Sequence, residues 1–244
     1  MRHAQEVLMS VKAQAVLFDN DGTLVDSTAA ILRCWTRWGE EHGLPAGTFD
    51  PVKAFGRPVT EVVPEVLPAE RVAAAVARYE DLEADDVECV LLPGAAEVLR
   101  ALGDGRWAVV TSASRRTAVA RLRRVGIEAP VLVTADDVAR GKPDPEPFLA
   151  AAARLCVAPA DCLVVEDAPA GLRSARAAGM RSLAVTTTHP ASLLREADHL
   201  VTGLDALRVR RTPDGLTIDL APGSGPLPER HAVTAASHDM PSAT

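Results

Sequence analysis

Apolar residues along the chain fall into short unbroken runs: Ala15–Phe18, Trp107–Val110, Val131–Val133, Leu163–Val165 and Leu183–Val185. Each is closed by turn-forming or polar residues. Runs this short, without alternation, predict strands buried on both faces. Between them apolar positions recur at helical spacing over Ala95–Leu102, Arg115–Val125, Pro147–Leu155 and Ala170–Ala178. Gly126 and Gly179 stand where C-terminal caps belong. Strand and helix in alternation predict an open α/β fold with a parallel sheet.

One interval breaks the pattern. From about residue 28 to 91 the sequence offers helical segments, Ala29–His42 and Ala69–Ala84, divided by Pro45, Pro51, Pro58, Pro64 and Pro68, and no good strand. This predicts a helical insert over 26–92, leaving a discontinuous core of 1–25 and 93–221. The crossings Val25-Asp26-Ser27 and Leu92-Pro93-Gly94 are the hinge candidates. Asp-Gly between two alternating runs predicts a hairpin over 207–220. Residues 222–244, rich in Pro, Ser, Gly and Ala without periodicity, are expected to be a disordered tail, and the first ten residues to be loose.

Composition narrows the classes. Hydrophobic residues make up 48% of 244 but aromatics only 3%, so the core must be built from Ala, Val and Leu. The formal charge of −7 argues against nucleic acid or an anionic membrane surface as partner, although a local cation can still hold a small anion. Cys34, Cys89, Cys156 and Cys162 show no metal or redox spacing, and the last two read as small core residues. No run approaches the roughly 18 apolar residues of a membrane span, and no secretory signal precedes the first strand. The expected compartment is the cytoplasm. The sequence carries no signature of oligomeric state.

Candidate chemistry begins at Phe18-Asp19-Asn20-Asp21-Gly22-Thr23, where two carboxylates follow the first run. Asn-Asp-Gly is also turn chemistry, so an ordinary hairpin is the plain alternative. A calcium loop does not fit, since its required glycine would fall at Leu24 and no Glu closes it. At the carboxyl end of a parallel strand, one acid can attack phosphorus while another moves a proton. Two acids meeting a phosphate need a cation between them, which implies Mg²⁺.

Other strand ends offer the remaining parts. Thr111-Ser112-Ala113-Ser114 brings hydroxyls and backbone N–H groups for an anion, with Ser114 also suited to capping a helix. Lys142 sits in Arg140-Gly141-Lys142-Pro143, where the proline keeps its backbone extended; an ordinary surface lysine is the alternative. Glu166 and Asp167 end the fourth run, Asp167 being also a candidate helix cap. Four such signals on one sheet edge favour a single site.

These motifs, FDNDGTLVDS, VVTSAS, ARGKPDPEPF and VVEDAPAGLRSARAAG, resemble those of the haloacid dehalogenase superfamily over about residues 13–220. The likeness is to the branch with a helical cap after the first strand, nearest in wording to its sugar and polyol phosphate phosphatases. The resemblance implies a Rossmann-like core and a Mg²⁺-dependent phosphomonoester hydrolase that acts on a small phosphorylated metabolite through an aspartyl-phosphate. It implies Asp19 as nucleophile. Asp21 would be general acid and then base, its backbone carbonyl also a metal ligand. Asp167 would complete the metal site, with Glu166 either a ligand or a partner behind it. Thr111, Ser112, Ala113 and Lys142 would bind phosphoryl oxygens.

In the insert, Phe55-Gly56-Arg57-Pro58 resembles the branch's substrate-reading loop. Arg57 and Glu83 are candidate substrate contacts, a solvated surface charge being the alternative for both. Trp35 and Trp38 read as insert core. A phosphosugar mutase of the beta-phosphoglucomutase type or a phosphoglycolate phosphatase shares nearly every residue cited; Asp21-Gly22-Thr23-Leu24 favours hydrolysis. A dehalogenase would not be expected to keep Asp21 and Asp167, and the complete set of motifs counts against a non-enzymatic binding module.

Overall fold

The computed structural model describes residues 9–45, 49–54, 57–221 and 225–226. Its elements are β1 (Met9–Ala13), β2 (Ala15–Phe18), β3 (Val25–Asp26), α1 (Thr28–Glu41), α2 (Val59–Val62), α3 (Ala69–Asp85), β4 (Val90–Leu91), α4 (Ala95–Leu102), β5 (Trp107–Val110), α5 (Arg115–Arg124), β6 (Leu132–Val133), α6 (Glu146–Arg154), β7 (Cys162–Glu166), α7 (Pro169–Ala177), β8 (Arg181–Val185), β9 (His199–Val201), β10 (Leu207–Thr212), β11 (Gly215–Leu220) and β12 (Gly225–Pro226).

The main sheet runs β12-β9-β8-β7-β2-β5-β6, parallel from β9 to β6, with β12 antiparallel at one edge. Strands β2, β5 and β7 are buried at every position, as their unbroken apolar runs require. Alternate residues feed opposite faces. Val16, Phe18, Val109 and Val165 pack with Val98, Leu102 and Leu122 of α4 and α5. Ala15, Leu17, Val110 and Val164 pack with Phe148, Ala151 and Ala175 of α6 and α7. The second layer is built largely from alanine, as the shortage of aromatics dictated.

Strand β2 lies between β5 and β7, with Phe18 level with Val109 and Val165. The chain therefore departs from β2 to one side and later returns on the other, which makes β2 the switch point of the sheet. The tips of these three strands are immediate neighbours.

The described residues between 28 and 85 include the helices α1, α2 and α3, which share an apolar cluster of their own that contains Trp35, Trp38, Val62, Tyr79 and Leu82. Trp35 stacks on Tyr79 at 3.8 Å, and Trp38 Nε1 donates to the Ala75 carbonyl at 2.8 Å. Both tryptophans are insert core. The first crossing pairs with the two residues just before the second as the β3–β4 ribbon, Val25 opposite Leu91 and Asp26 opposite Val90. The sequence shows no strand here because two-residue strands carry no periodicity.

Several expectations need correction. Met9 and Ser10 are not loose but belong to β1, which pairs with β11 in a separate sheet ordered β1-β11-β10. The hairpin over 207–220 forms, but Thr212 pairs with Gly215, so its turn is Pro213-Asp214 rather than Asp-Gly. Cys162 is buried, whereas Cys156 is exposed at a left-handed position (φ 56°) just past α6, which turns it out of the core. The tail expectation for 222–244 lies outside the described residues except at Gly225–Pro226.

Candidate active site

The Asp19-Asn20-Asp21-Gly22 stretch is not a hairpin. The Asn20 carbonyl accepts the N–H groups of Thr23, Leu24 and Val25, which curls the chain over the end of β2. Gly22 sits at φ 92°, and a Cβ there would run into the Asp167 carboxylate. Glycine is needed for both the turn and the close approach.

Asp19 continues directly from β2 and is buried. Lys142 reaches it from the loop after β6: Nζ donates to Asp19 Oδ1 at 2.6 Å, Glu166 Oε1 at 2.7 Å and the Val110 carbonyl at 2.9 Å. Lys142 is 1% exposed, so the surface-lysine alternative fails. Burial opposes the ammonium, but Asp19 and Glu166 more than offset it and raise its pKa above the ordinary value. It stays charged.

Carboxylate oxygens of Asp19, Glu166 and Asp167 lie within 4.8 Å of one another. Glu166 Oε2 accepts the N–H groups of Asp167 and Ala168, both at 2.9 Å, so Glu166 rather than Asp167 fastens the start of α7. Gly171 leaves the room Glu166 needs, since a Cβ there would collide with its carboxylate. Asp167 Oδ1 accepts from Thr23 Oγ1 at 3.1 Å, and Oδ2 from the Thr188 hydroxyl.

Three buried acids face one ammonium. Burial pushes the Asp19 carboxyl up to about 7, against the pull of Lys142 and with a further push from Glu166 and Asp21. Burial, Glu166 and Asp19 hold Asp167 well above the usual carboxylate range. The cluster is short of positive charge. Its donors are all hard oxygens, which suit Mg²⁺ rather than a soft metal.

Asp21, Thr111, Ser112, Ala113, Arg57 and Glu83 all line one cleft with Asp19, beneath the insert. The Ser112 hydroxyl is buried and has no hydrogen-bond partner among the described residues, an orphan that a ligand oxygen would satisfy. The Ala113 N–H is not free as expected, because it donates to Thr111 Oγ1 at 3.1 Å. Ser114 caps α5 by accepting from the Thr117 N–H. Arg57 pairs with Glu65 at 2.5 Å, while Phe55 and Gly56 of its loop lie outside the described residues. Glu83 is buried, not a solvated surface charge.

Sequence reasoning missed Arg121, Thr23 and Thr188. Arg121 is buried in α5, donating to Asp21 at 2.9 Å and to Glu83 at 3.2 Å. It is one of five arginines on that short helix, and nothing in the local pattern separates it from the others.

The chain matches the haloacid dehalogenase-like hydrolase family over residues 13–179. It belongs to that family. It is 39% identical to hexitol phosphatase A of Escherichia coli (strain K12), covering 84% of this chain and 98% of that protein. It is 38% identical to validoxylamine A 7'-phosphate phosphatase of Streptomyces hygroscopicus subsp. limoneus, covering 80% and 96%. Among solved structures, a hydrolase from Pseudomonas syringae superposes with a TM-score of 0.66 at 28% identity, over 78% of this chain and 94% of that one.

Proposed function

We propose that this haloacid dehalogenase-like hydrolase is a phosphatase that removes phosphate from a small sugar or polyol monoester. The carrying observation is the tip of β2: Asp19 is set in a buried cluster of three acids that has the single Lys142 ammonium against it, and the Ser112 hydroxyl, unpartnered among the described residues, lines the same cleft as Asp19. Two of its relatives are named as phosphatases of a hexitol and of validoxylamine A 7'-phosphate, which supports the substrate class.

In this reading Asp19 attacks phosphorus. An O–P bond forms on the carboxylate, the ester P–O bond breaks, and Asp21 delivers its proton to the leaving oxygen. Water then attacks the aspartyl-phosphate, Asp21 takes the water's proton, and Asp19 is released. Lys142 and Ser112 hold phosphoryl oxygens, and charge neutralisation supplies most of the rate enhancement. Asp19, Asp167 and the Asp21 backbone carbonyl would hold Mg²⁺. Glu166, already engaged by Lys142 and two backbone N–H groups, supports them from behind. When bound, the ion would neutralise Asp19 and the phosphoryl oxygens. The insert acts as a cap over residues 26–92 that excludes water during the first step, and Arg57 contacts the leaving group.

The test is release of inorganic phosphate, with Mg²⁺, from p-nitrophenyl phosphate and from a panel of sugar and polyol phosphates, without any added sugar bisphosphate. Asp19→Asn should abolish it. No release from any monoester overturns the reading.

A further inference from the structure

Asp21 is anchored more firmly than its neighbours in the motif require. Ser27 Oγ and Arg121 Nη1 both donate to its Oδ1, at 2.6 and 2.9 Å, while Oδ2 receives only the Asn20 amide at 3.2 Å. Two good donors on one oxygen fix the plane of the carboxyl and leave Oδ2 as the working atom. The second donor is unusual. Arg121 is 1% exposed, and arginine rarely reaches that burial unpaired. Its Nη2 donates to Glu83 Oε1 at 3.2 Å, the oxygen that also accepts the Tyr79 hydroxyl at 3.3 Å. Asp21 belongs to the loop over β2, Arg121 to core helix α5, and Glu83 to insert helix α3. One guanidinium joins all three.

We propose that Arg121 is a positioning residue for Asp21, and that Glu83 makes its hold depend on the insert lying over the core. This rests on the acid–base role of Asp21 given above. A planar guanidinium gripped from two sides has a fixed direction. With α3 lifted away, Glu83 leaves, one side of the grip is lost, and the Arg121 fork is free to turn. Asp21 is then aligned only when the cleft is covered. Glu83, expected to be a substrate contact, acts through Arg121 instead.

Leaving-group dependence tests this. A polyol leaving group needs a proton as its P–O bond breaks, whereas p-nitrophenolate departs without one. kcat/KM reports that bond-breaking step. Arg121→Met should lower kcat/KM for glucitol 6-phosphate by about 100-fold, the scale of a misplaced acid. For p-nitrophenyl phosphate the loss should stay below about 5-fold, and Arg121→Lys should recover part of the difference. Glu83→Gln should shift the same ratio by about 10-fold, and should add little in the Arg121→Met background, as members of one network do. Where Arg121→Met fails to fold by circular dichroism, Arg121→Lys and Glu83→Gln carry the test.

Asp21→Asn separates the two levels of the argument. If it leaves the alkyl-to-aryl ratio unchanged, the acid role itself is wrong. If it shifts the ratio while the Arg121 and Glu83 variants lower both substrates equally, those two residues are merely structural and this proposal is overturned.

Discussion

Two buried ion clusters meet at the same cleft and are built on opposite plans. In one, Lys142 faces Asp19 and Glu166, with Asp167 alongside, and every member comes from a strand end or loop of the core. In the other, Arg121 faces Asp21 and Glu83, so the pairing crosses from core to insert. The first has three acids against one ammonium and calls for an outside cation. The second has two acids against one guanidinium and relies on its own fork geometry. Adjacent sheet strands give the first its rigidity, while packing of α3 against α5 gives the second its reach. The difference teaches that neighbouring acids of one cleft can be compensated on separate scaffolds: one cation is held wholly within the core, and the other only where core and insert meet.

The comparison is broken most severely at Lys142. Lys142→Met removes the only cation that touches Asp19 among the described residues. It should lower kcat by about 10³-fold, the upper range for losing one charge-stabilising donor. Removing one partner of a buried ion pair also costs about 3–5 kcal/mol, read as a lowered Tm without metal. A variant that keeps wild-type kcat would show that the core cluster is only structural.

Metal dependence separates the clusters next. Mg²⁺ at about 100 times its Kd should stabilise the chain by about 2.7 kcal/mol, a rise of about 5–10 °C in Tm for a protein of this size. Asp167→Asn should lose that shift and Glu83→Gln should keep it. Loss in both variants would merge the two clusters into one.

The pH dependence should mark the first cluster too. In the metal-free fold the Asp19 carboxyl is raised from 3.8 to about 7. Between those values the folded chain binds more protons than the unfolded one, so this group's contribution falls as pH rises from about 4 to about 7. Asp167 is raised in the same direction. Tm measured in a chelator should therefore decline across that window more steeply than with saturating Mg²⁺. Equal slopes would mean that the acids carry no charge deficit.

The smallest effect belongs to Arg57, which belongs to neither cluster. Its pair with Glu65 is partly exposed, so Arg57→Ala should change stability by less than about 1 kcal/mol. If it contacts the leaving group, KM should rise by about 3–10-fold with kcat little changed, as loss of uniform binding predicts.

The legible parts of this protein share one property: their residues are constrained by near neighbours in sequence. Strands β2, β5 and β7 could be read because burial on both faces demands an unbroken apolar run. The cap at Gly126 and the N-cap at Ser114 follow from local backbone needs. Strand β1 escaped because its partner β11 lies some two hundred residues away, and five residues are too few for their alternation to stand out. Arg121 escaped because a buried arginine and four others on one helix look alike until α3 is laid across it. Thr188 escaped because a threonine in a loop after β8 says nothing of the carboxylate it will meet.

By itself, the sequence determined the alternation of strand and helix, the place of the insert, and the acids, hydroxyls and lysine that end up at the sheet edge, since these follow from periodicity and from residue chemistry at strand ends. Tertiary structure alone decided that β2 lies between β5 and β7, that the Ser112 hydroxyl has no partner among the described residues while the Ala113 N–H is taken, and that Arg121 reaches both Asp21 and Glu83. The reason is physical: charge compensation in a buried site depends on distances between segments far apart in the chain, and only packing sets those distances.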